Sequence, residues 1–90
     1  MTPGEKSIRK RLNDLRRNPS NRRASEIVAL LKAVGATESK KSGSHHVFKH
    51  KRMLPLTVVY QSDKDPLRTE TVLDKVQWVE ELLDKEEAAS

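Results

Sequence analysis

Apolar side chains recur at helical spacing in three separate stretches of the chain. In the second stretch they fall at i, i+3, i+4 and i+7, with Ser25 before them as a candidate N-cap and Gly35 directly after them. Since glycine readily takes the positive φ that ends a helix, this is the clearest predicted helix. Weaker stripes predict a first helix over Ser7–Asn18, after a loose start at residues 1–5, and a long last helix over Arg68–Glu87.

The segment between the second and last helices has the pattern of short strands. Three runs, at Ala36–Lys41, His45–His50 and Leu54–Tyr60, are separated by short turns. Short turns imply antiparallel pairing, and Pro55 in the last run indicates an edge position or a late start of that strand. The predicted order is therefore α-α-β-β-β-α. We expect an α+β domain in which helices pack on one face of a three-stranded antiparallel sheet and leave the other face open.

The chain is short, and its charge is unevenly distributed. Ninety residues, 34% of them apolar and 34% charged, allow one domain with one small core. We divide the chain into a basic N-terminal helical extension, residues 1–22, and an α+β domain, residues 23–87. Residues 1–23 carry a net charge of +6 and residues 24–52 carry +4, whereas residues 53–90 carry −5. The basic part indicates nucleic acid or an acidic protein as partner, or only a well-solvated surface.

The composition disfavours several classes of protein. There is no cysteine, which excludes disulfides and thiolate metal sites and fits a reducing compartment. No apolar run is long enough to span a bilayer or to form a signal-peptide core, so we expect a soluble cytoplasmic protein. One Phe, one Tyr and one Trp are too few for an aromatic platform that stacks single-stranded nucleic acid.

The side chains best suited to chemistry at neutral pH lie in the segment Lys40–Arg52. It contains all three histidines and five of the eighteen Lys and Arg residues. An unperturbed imidazole has a pKa of about 6.5 and can both donate and accept a proton, and neighbouring cations suit a polyanionic partner. The adjacent histidines could instead bind a metal ion, but a regular strand points them to opposite faces and no thiol completes a zinc set. We therefore expect no metal and no cofactor.

Strand alternation predicts which histidine faces outward. Phe48, the largest apolar residue of the segment, should point to the core and take His46 with it as a structural, hydrogen-bonding residue. His45 and Lys49 would then project side by side from the open face, where one phosphate could contact both. The assignment inverts if Val47 is the inward residue. Without further information, each histidine is more often an ordinary polar strand residue than a catalyst.

Two stretches together resemble a known family. Ile-Val-Ala-Leu-Leu-Lys-Ala-Val-Gly-Ala at 27–36, followed by Lys-Ser-Gly-Ser-His-His-Val-Phe at 41–48, is similar to HicA-type toxins, the mRNA interferases of bacterial type II toxin–antitoxin systems. The similarity covers residues 23–60 well and the last helix loosely. It implies a double-stranded-RNA-binding-like fold. It also implies metal-independent RNA cleavage by the first histidine after Gly-Ser, which is His45 here, and a HicB-type antitoxin that covers the active face.

The chain departs from this family pattern in three places. Residues 1–22 are an extension that many members lack, and the segment at 58–69 has neither the Gly nor the His often found there. The last helix is longer and ends in an acidic tail. Two alternatives to a nuclease therefore stay open: a non-catalytic RNA-binding module, and a basic domain that binds an acidic protein.

For a cleaving enzyme we expect transesterification, in which the RNA 2′-hydroxyl attacks its own 3′-phosphate and expels the 5′-oxygen. His45 would be the general base or acid, and cations would stabilise the charged phosphorane. A second proton-transfer group could be His46, Tyr60 or water. The predicted phosphate-binding residues are the cations and the serine of the same segment: Lys40, Lys41, Ser44, Lys49, Lys51 and Arg52.

Overall fold

The computed structural model describes residues 3–89, apart from the side chains of Pro3 and Lys40, and it confirms the α+β class. The elements are α1 (Pro3–Arg17), α2 (Ala24–Ala33), β1 (Thr37–Ser42), β2 (His45–His50), β3 (Met53–Val59) and α3 (Thr69–Ala89). The strands form one antiparallel sheet in the order β1-β2-β3. Among these residues, no helix has the length and apolar character needed to cross a membrane.

Helix α1 begins at Pro3 rather than at Ser7, so the expected loose start is wrong for residues 3–5, while residues 1 and 2 lie outside the described part. Proline suits the first turn of a helix because its missing N–H has no partner there and its φ is already helical. Leu12 and Leu15 of α1 are buried in the same core as the later elements. The division of the chain into residues 1–22 and 23–87 stays a prediction.

Helix α2 ends as predicted and begins differently. Gly35 follows the helix with φ +92°, and the backbone N–H groups at 35 and 36 donate to carbonyls of the last turn. This pair of hydrogen bonds is a Schellman motif. The N-cap is Arg23, not Ser25, because the Glu26 carboxylate accepts the Arg23 backbone N–H at 2.9 Å. A carboxylate that reaches back in this way is half of a capping box.

Two short turns connect the three strands. Residues 43 and 44 form the first turn, where Gly43 has φ +59°, the positive value that a type II′ hairpin turn needs at its first central position. Residues 51 and 52 form the second turn. The pairing of β2 with β3 shifts register where β3 contains Pro55. The prediction that Pro55 lies on an edge strand is confirmed, and the register shift removes the need for a proline N–H in the ladder.

The core lies between one face of the sheet and the helices. Phe48, Leu56 and Val58 point from the strands into this layer and are at most 8% exposed. They join buried apolar side chains from α1, α2 and α3 in a single cluster. On the other face the side chains alternate outward, and Val59 is 52% exposed. The predicted arrangement, with helices on one face and an open opposite face, is confirmed.

Candidate functional site

The open face of the sheet carries His45, the first residue of β2. Its side chain is exposed, and its cross-strand partners are Ser42 on β1 and Val59 on β3. Directly opposite residues of antiparallel strands project to the same face, so a hydroxyl and an isopropyl group flank the imidazole. Among the residues that the structure describes, none forms a hydrogen bond or ion pair with the His45 ring. The ring is thus available to a ligand that lies on the sheet.

His46, the next residue, lies in the opposite environment. It is 4% exposed; its Nδ1 is 2.8 Å from Glu38 Oε2 and its Nε2 is 3.1 Å from the Tyr60 carbonyl oxygen. Both partners are acceptors, so the ring donates to both when each nitrogen carries a proton. The predicted structural role of His46 is confirmed. Because the ring is buried and both nitrogens are engaged, neither nitrogen of His46 is open to a substrate in this structure.

The contacts of His46 also hold the turn that precedes His45. The Tyr60 backbone N–H donates to the Ser44 carbonyl oxygen at 2.9 Å, and the Tyr60 carbonyl oxygen accepts from His46. The Tyr60 ring stacks on the His46 ring, with centroids 3.8 Å apart and planes 6° from parallel. Residues from all three strand segments therefore meet at this end of the sheet, which fixes the backbone on which His45 is carried.

Tyr60 itself keeps its proton at neutral pH. Partial burial raises the pKa of the Tyr60 phenol above its ordinary value of 10.0, and the nearby carboxylates of Glu38 and Asp63 raise it further. A phenol of this kind can donate a hydrogen bond or a proton but cannot serve as a base near neutral pH. Of the proposed second groups, Tyr60 is thus limited to the role of acid.

The predicted phosphate-binding residues divide between the two ends of β2. Lys41 and Ser44 lie near the first turn, at the end of β2 where His45 is located. Lys41 is exposed but pairs across the strands with His46, so it lies on the helix-covered side of edge strand β1. The backbone of Lys40 pairs with β2, and its side chain lies outside the described residues. At the His45 end, a ligand would therefore meet Ser44 and an edge-strand lysine.

Lys49, Lys51 and Arg52 lie at the far end of β2 and in the turn after it. The prediction that Lys49 lies beside His45 is wrong, although both are exposed. Four residues along a strand, at about 3.3 Å each, separate the two positions by about 13 Å. Alternation correctly predicts a shared face but says nothing about proximity on it.

Sequence reasoning missed a polar pocket at this far end. Its five lining residues come from the end of β2 and the turn after it, the α2–β1 connection and the start of β1: Gly35, Thr37, Lys49, His50 and Lys51. The pairing of Thr37 with Lys49 brings the start of β1 to the end of β2, and that register was not readable from the chain alone. Within the described part of the chain, no three His, Cys, Asp or Glu side chains form a group that could hold a metal ion.

Comparison with known proteins identifies a family. Residues 24–74, more than half of the chain, match the family described as HicA toxin of bacterial toxin-antitoxin. The chain belongs to the HicA toxin family. The match begins at the first residue of α2 and ends within α3, so it contains His45 and leaves α1 outside. No curated protein and no solved structure gives a significant match.

Membership in the HicA family supplies the general activity. HicA toxins are the mRNA interferases of toxin–antitoxin systems, so RNA is the general substrate and an antitoxin the general partner. The three-stranded sheet with one uncovered face agrees with the fold that the family resemblance implied.

Proposed function

We propose that this HicA chain is an endoribonuclease that cleaves mRNA without a metal ion, with His45 as the catalytic residue. The observation that carries the proposal is the contrast within β2: His45 is exposed on the uncovered face, while His46 is buried and held by two acceptors. An imidazole that must exchange protons with a substrate needs access to it, and only His45 has that access at this end of the sheet.

The reaction that fits this arrangement is transesterification. His45, as general base, takes the proton of an RNA 2′-hydroxyl, and the 2′-oxygen forms a bond to the adjacent phosphorus. The bond from phosphorus to the 5′-oxygen breaks, and the leaving oxygen takes a proton from water. The products are a 2′,3′-cyclic phosphate and a 5′-hydroxyl. DNA lacks the attacking hydroxyl and is not a substrate.

Cations and donors near His45 would stabilise the charged phosphorane. We assign this role to Lys41 and Ser44, together with Lys40. Lys41 projects from edge strand β1 and is exposed, so its flexible side chain can reach a phosphate that lies beside the sheet. Lys49, Lys51 and Arg52 would bind phosphates farther along the RNA, because the length of β2 separates them from His45.

The proposed regulator is a HicB-type antitoxin that covers the open face. Leu54 and Val59 on β3 are 82% and 52% exposed, and Val59 lies directly opposite His45. Exposed apolar side chains beside charged residues are suited to a protein partner, since burial of apolar area drives association. The proposed location in the cytoplasm follows from the mRNA substrate and stays a prediction.

The test is RNA cleavage by His45→Ala, measured with labelled RNA in the presence of EDTA. Wild-type protein should cleave, and the variant should be slower by about 10²–10⁴-fold, the usual contribution of a positioned proton-transfer group. Thr57→Ala is the matched control, because Thr57 is also exposed. It lies on β3 opposite residue 47, on the same face of the sheet as His45. Cleavage by His45→Ala at the wild-type rate would eliminate His45. RNA that is bound but left intact by wild-type protein would indicate an RNA-binding module.

A further inference from the structure

We propose that the pocket at the far end of β2 is a second phosphate-binding site, centred on His50, that holds RNA several nucleotides away from the cleaved linkage. That the ligand is RNA rests on the proposed function, whereas the site itself is argued from the residues of the pocket. His50 is five residues along the strand from His45, which separates them by about 16 Å. The two sites are therefore distinct.

The pocket has the composition of an anion site. Its lining residues include Lys49, Lys51, Thr37 and His50, and none of them is acidic. His50 is half-buried and lies against Gly35: a Cβ at that glycine would be 3.7 Å from the Nε2 and Cδ2 atoms of the ring. The Nε2 edge of the ring therefore lies at the wall of the pocket.

A backbone hydrogen bond determines which nitrogen of His50 is a donor. The Arg52 backbone N–H donates to His50 Nδ1 at 3.1 Å, so Nδ1 is an acceptor and carries no proton. The proton of the neutral ring is then on Nε2. Among the described residues, none accepts a hydrogen bond from this N–H. A ring N–H donor without a protein partner, in a pocket whose lining residues include two lysines and a threonine, is matched to a phosphate oxygen and not to a metal cation.

The pocket is held in place before any ligand binds. Lys85 of α3 donates to the Arg52 carbonyl oxygen at 3.4 Å, and the indole N–H of Trp78 donates to the Leu54 carbonyl oxygen at 3.1 Å. Helix α3 thus contacts the turn that follows His50 and the start of β3. Preorganisation of this kind reduces the entropy that binding must overcome.

One feature of the fold opposes an anion at this place. The C-terminal end of α2 carries about half a negative charge, and Gly35 lies directly after it. The last carbonyls of α2 accept hydrogen bonds from the backbone N–H groups at 34, 35 and 36, which reduces the exposed negative charge. Two full positive charges on Lys49 and Lys51 therefore outweigh the helix terminus.

The separation of the two sites predicts how long the RNA must be. Phosphates of a stacked strand advance by about 3.4 Å per nucleotide, so about 16 Å corresponds to roughly four or five nucleotides. A short RNA bound at His45 would not reach His50, whereas an octamer would occupy both sites. Loss of the His50 donor should therefore affect long RNA selectively.

Two variants of His50 separate the donor from the fold. His50→Asn keeps an acceptor near the Arg52 N–H and removes the Nε2 donor, whereas His50→Gln places an amide N–H near the Nε2 position. We expect His50→Asn to weaken binding of an uncleavable 2′-O-methyl RNA octamer by about tenfold, with most of the affinity restored in His50→Gln. Binding of a 2′-O-methyl trimer should be unchanged in both variants.

A charge control accompanies these variants. Lys51→Gln should also weaken octamer binding, whereas Lys10→Gln removes the same charge from the exposed surface of α1 and should have a much smaller effect. The proposal is overturned if His50→Asn binds the octamer as wild type does, or if it loses trimer and octamer affinity equally. Octamer binding that depends on His50 in a protein that cleaves nothing would support this site and refute the nuclease proposal. RNA cleavage by a protein whose octamer binding does not depend on His50 would support the nuclease proposal and refute this second site.

Discussion

The two faces of the sheet give two consecutive histidines opposite environments. On the helix-covered face, His46 is 4% exposed, stacks on Tyr60 and is engaged at both ring nitrogens. On the open face, His45 is exposed and has no such partners among the described residues. The residue type is the same and the positions are consecutive. The difference arises because Phe48 occupies the core and strand alternation then assigns one histidine to each face.

The comparison shows what a histidine pair in a strand can mean. A buried imidazole must have hydrogen-bond partners, because an unsatisfied buried polar group costs stability. The open face imposes no such requirement, so its histidine is free to serve a ligand. On this account His46 contributes to stability and His45 to activity, and substitutions should separate the two contributions.

The largest stability effect should come from His46→Ala. It removes a buried ring, leaves a cavity against Tyr60, and leaves the Tyr60 carbonyl oxygen without its partner, so we expect a loss of about 2–4 kcal/mol in the free energy of unfolding. Urea titration followed by the fluorescence of Trp78, the only tryptophan in the chain, would measure it. His45→Ala is the matched comparison and should change stability by less than about 0.5 kcal/mol. Equal losses in both variants would contradict the division between the faces.

A smaller, pH-dependent effect should come from Tyr60→Phe. The folded state raises the pKa of the Tyr60 phenol above 10.0, so it retains the proton at a pH where the unfolded chain has released it. The resulting stability is present below pH 10.0 and is lost as the pH rises through the folded pKa. Wild-type protein should therefore lose thermal stability more steeply than Tyr60→Phe above that pH, and equally at neutral pH.

Thermal unfolding at a series of alkaline pH values would check the Tyr60 prediction. Wild type and Tyr60→Phe contain the same lysines, so any contribution from lysine cancels in the comparison. Because the chain contains one tyrosine, the difference that is left reports Tyr60 alone. Parallel pH profiles for wild type and Tyr60→Phe would mean that Tyr60 is as accessible to water when folded as when unfolded. That result would also weaken the description of this end of the sheet as closed by the stacked His46 and Tyr60 rings.

The parts of this molecule that were predictable from sequence are those set by local rules. The end of α2 at Gly35 needs a positive φ, Pro55 needs an edge, and Phe48 sorts the histidines by alternation. These determinants act within a few residues along the chain. They were enough to predict the fold class, the uncovered face and the exposure of His45.

The remaining parts depend on contacts between distant segments. Tyr60 stacks on His46 although it lies fourteen residues later in the chain, so no local sequence pattern predicts the contact. The pocket around His50 depends on the register that brings Thr37 to Lys49. The start of α1 was missed because a proline near the N-terminus was not recognised as a first-turn residue. Alternation along β2 places Lys49 on the same face as His45 but does not set the distance between them.

The most direct test of the central claim uses an RNA whose main cleavage site has been mapped and a copy that lacks the 2′-hydroxyl at that one nucleotide. Incubation with wild-type protein and EDTA, followed by mass spectrometry of the products, reports both the need for the hydroxyl and the new ends. If His45 on the open face promotes attack by the 2′-oxygen, the all-ribose RNA gives a 2′,3′-cyclic phosphate and a 5′-hydroxyl, and the modified linkage stays intact. Cleavage of the modified linkage, or products with a 3′-hydroxyl and a 5′-phosphate, would contradict the mechanism.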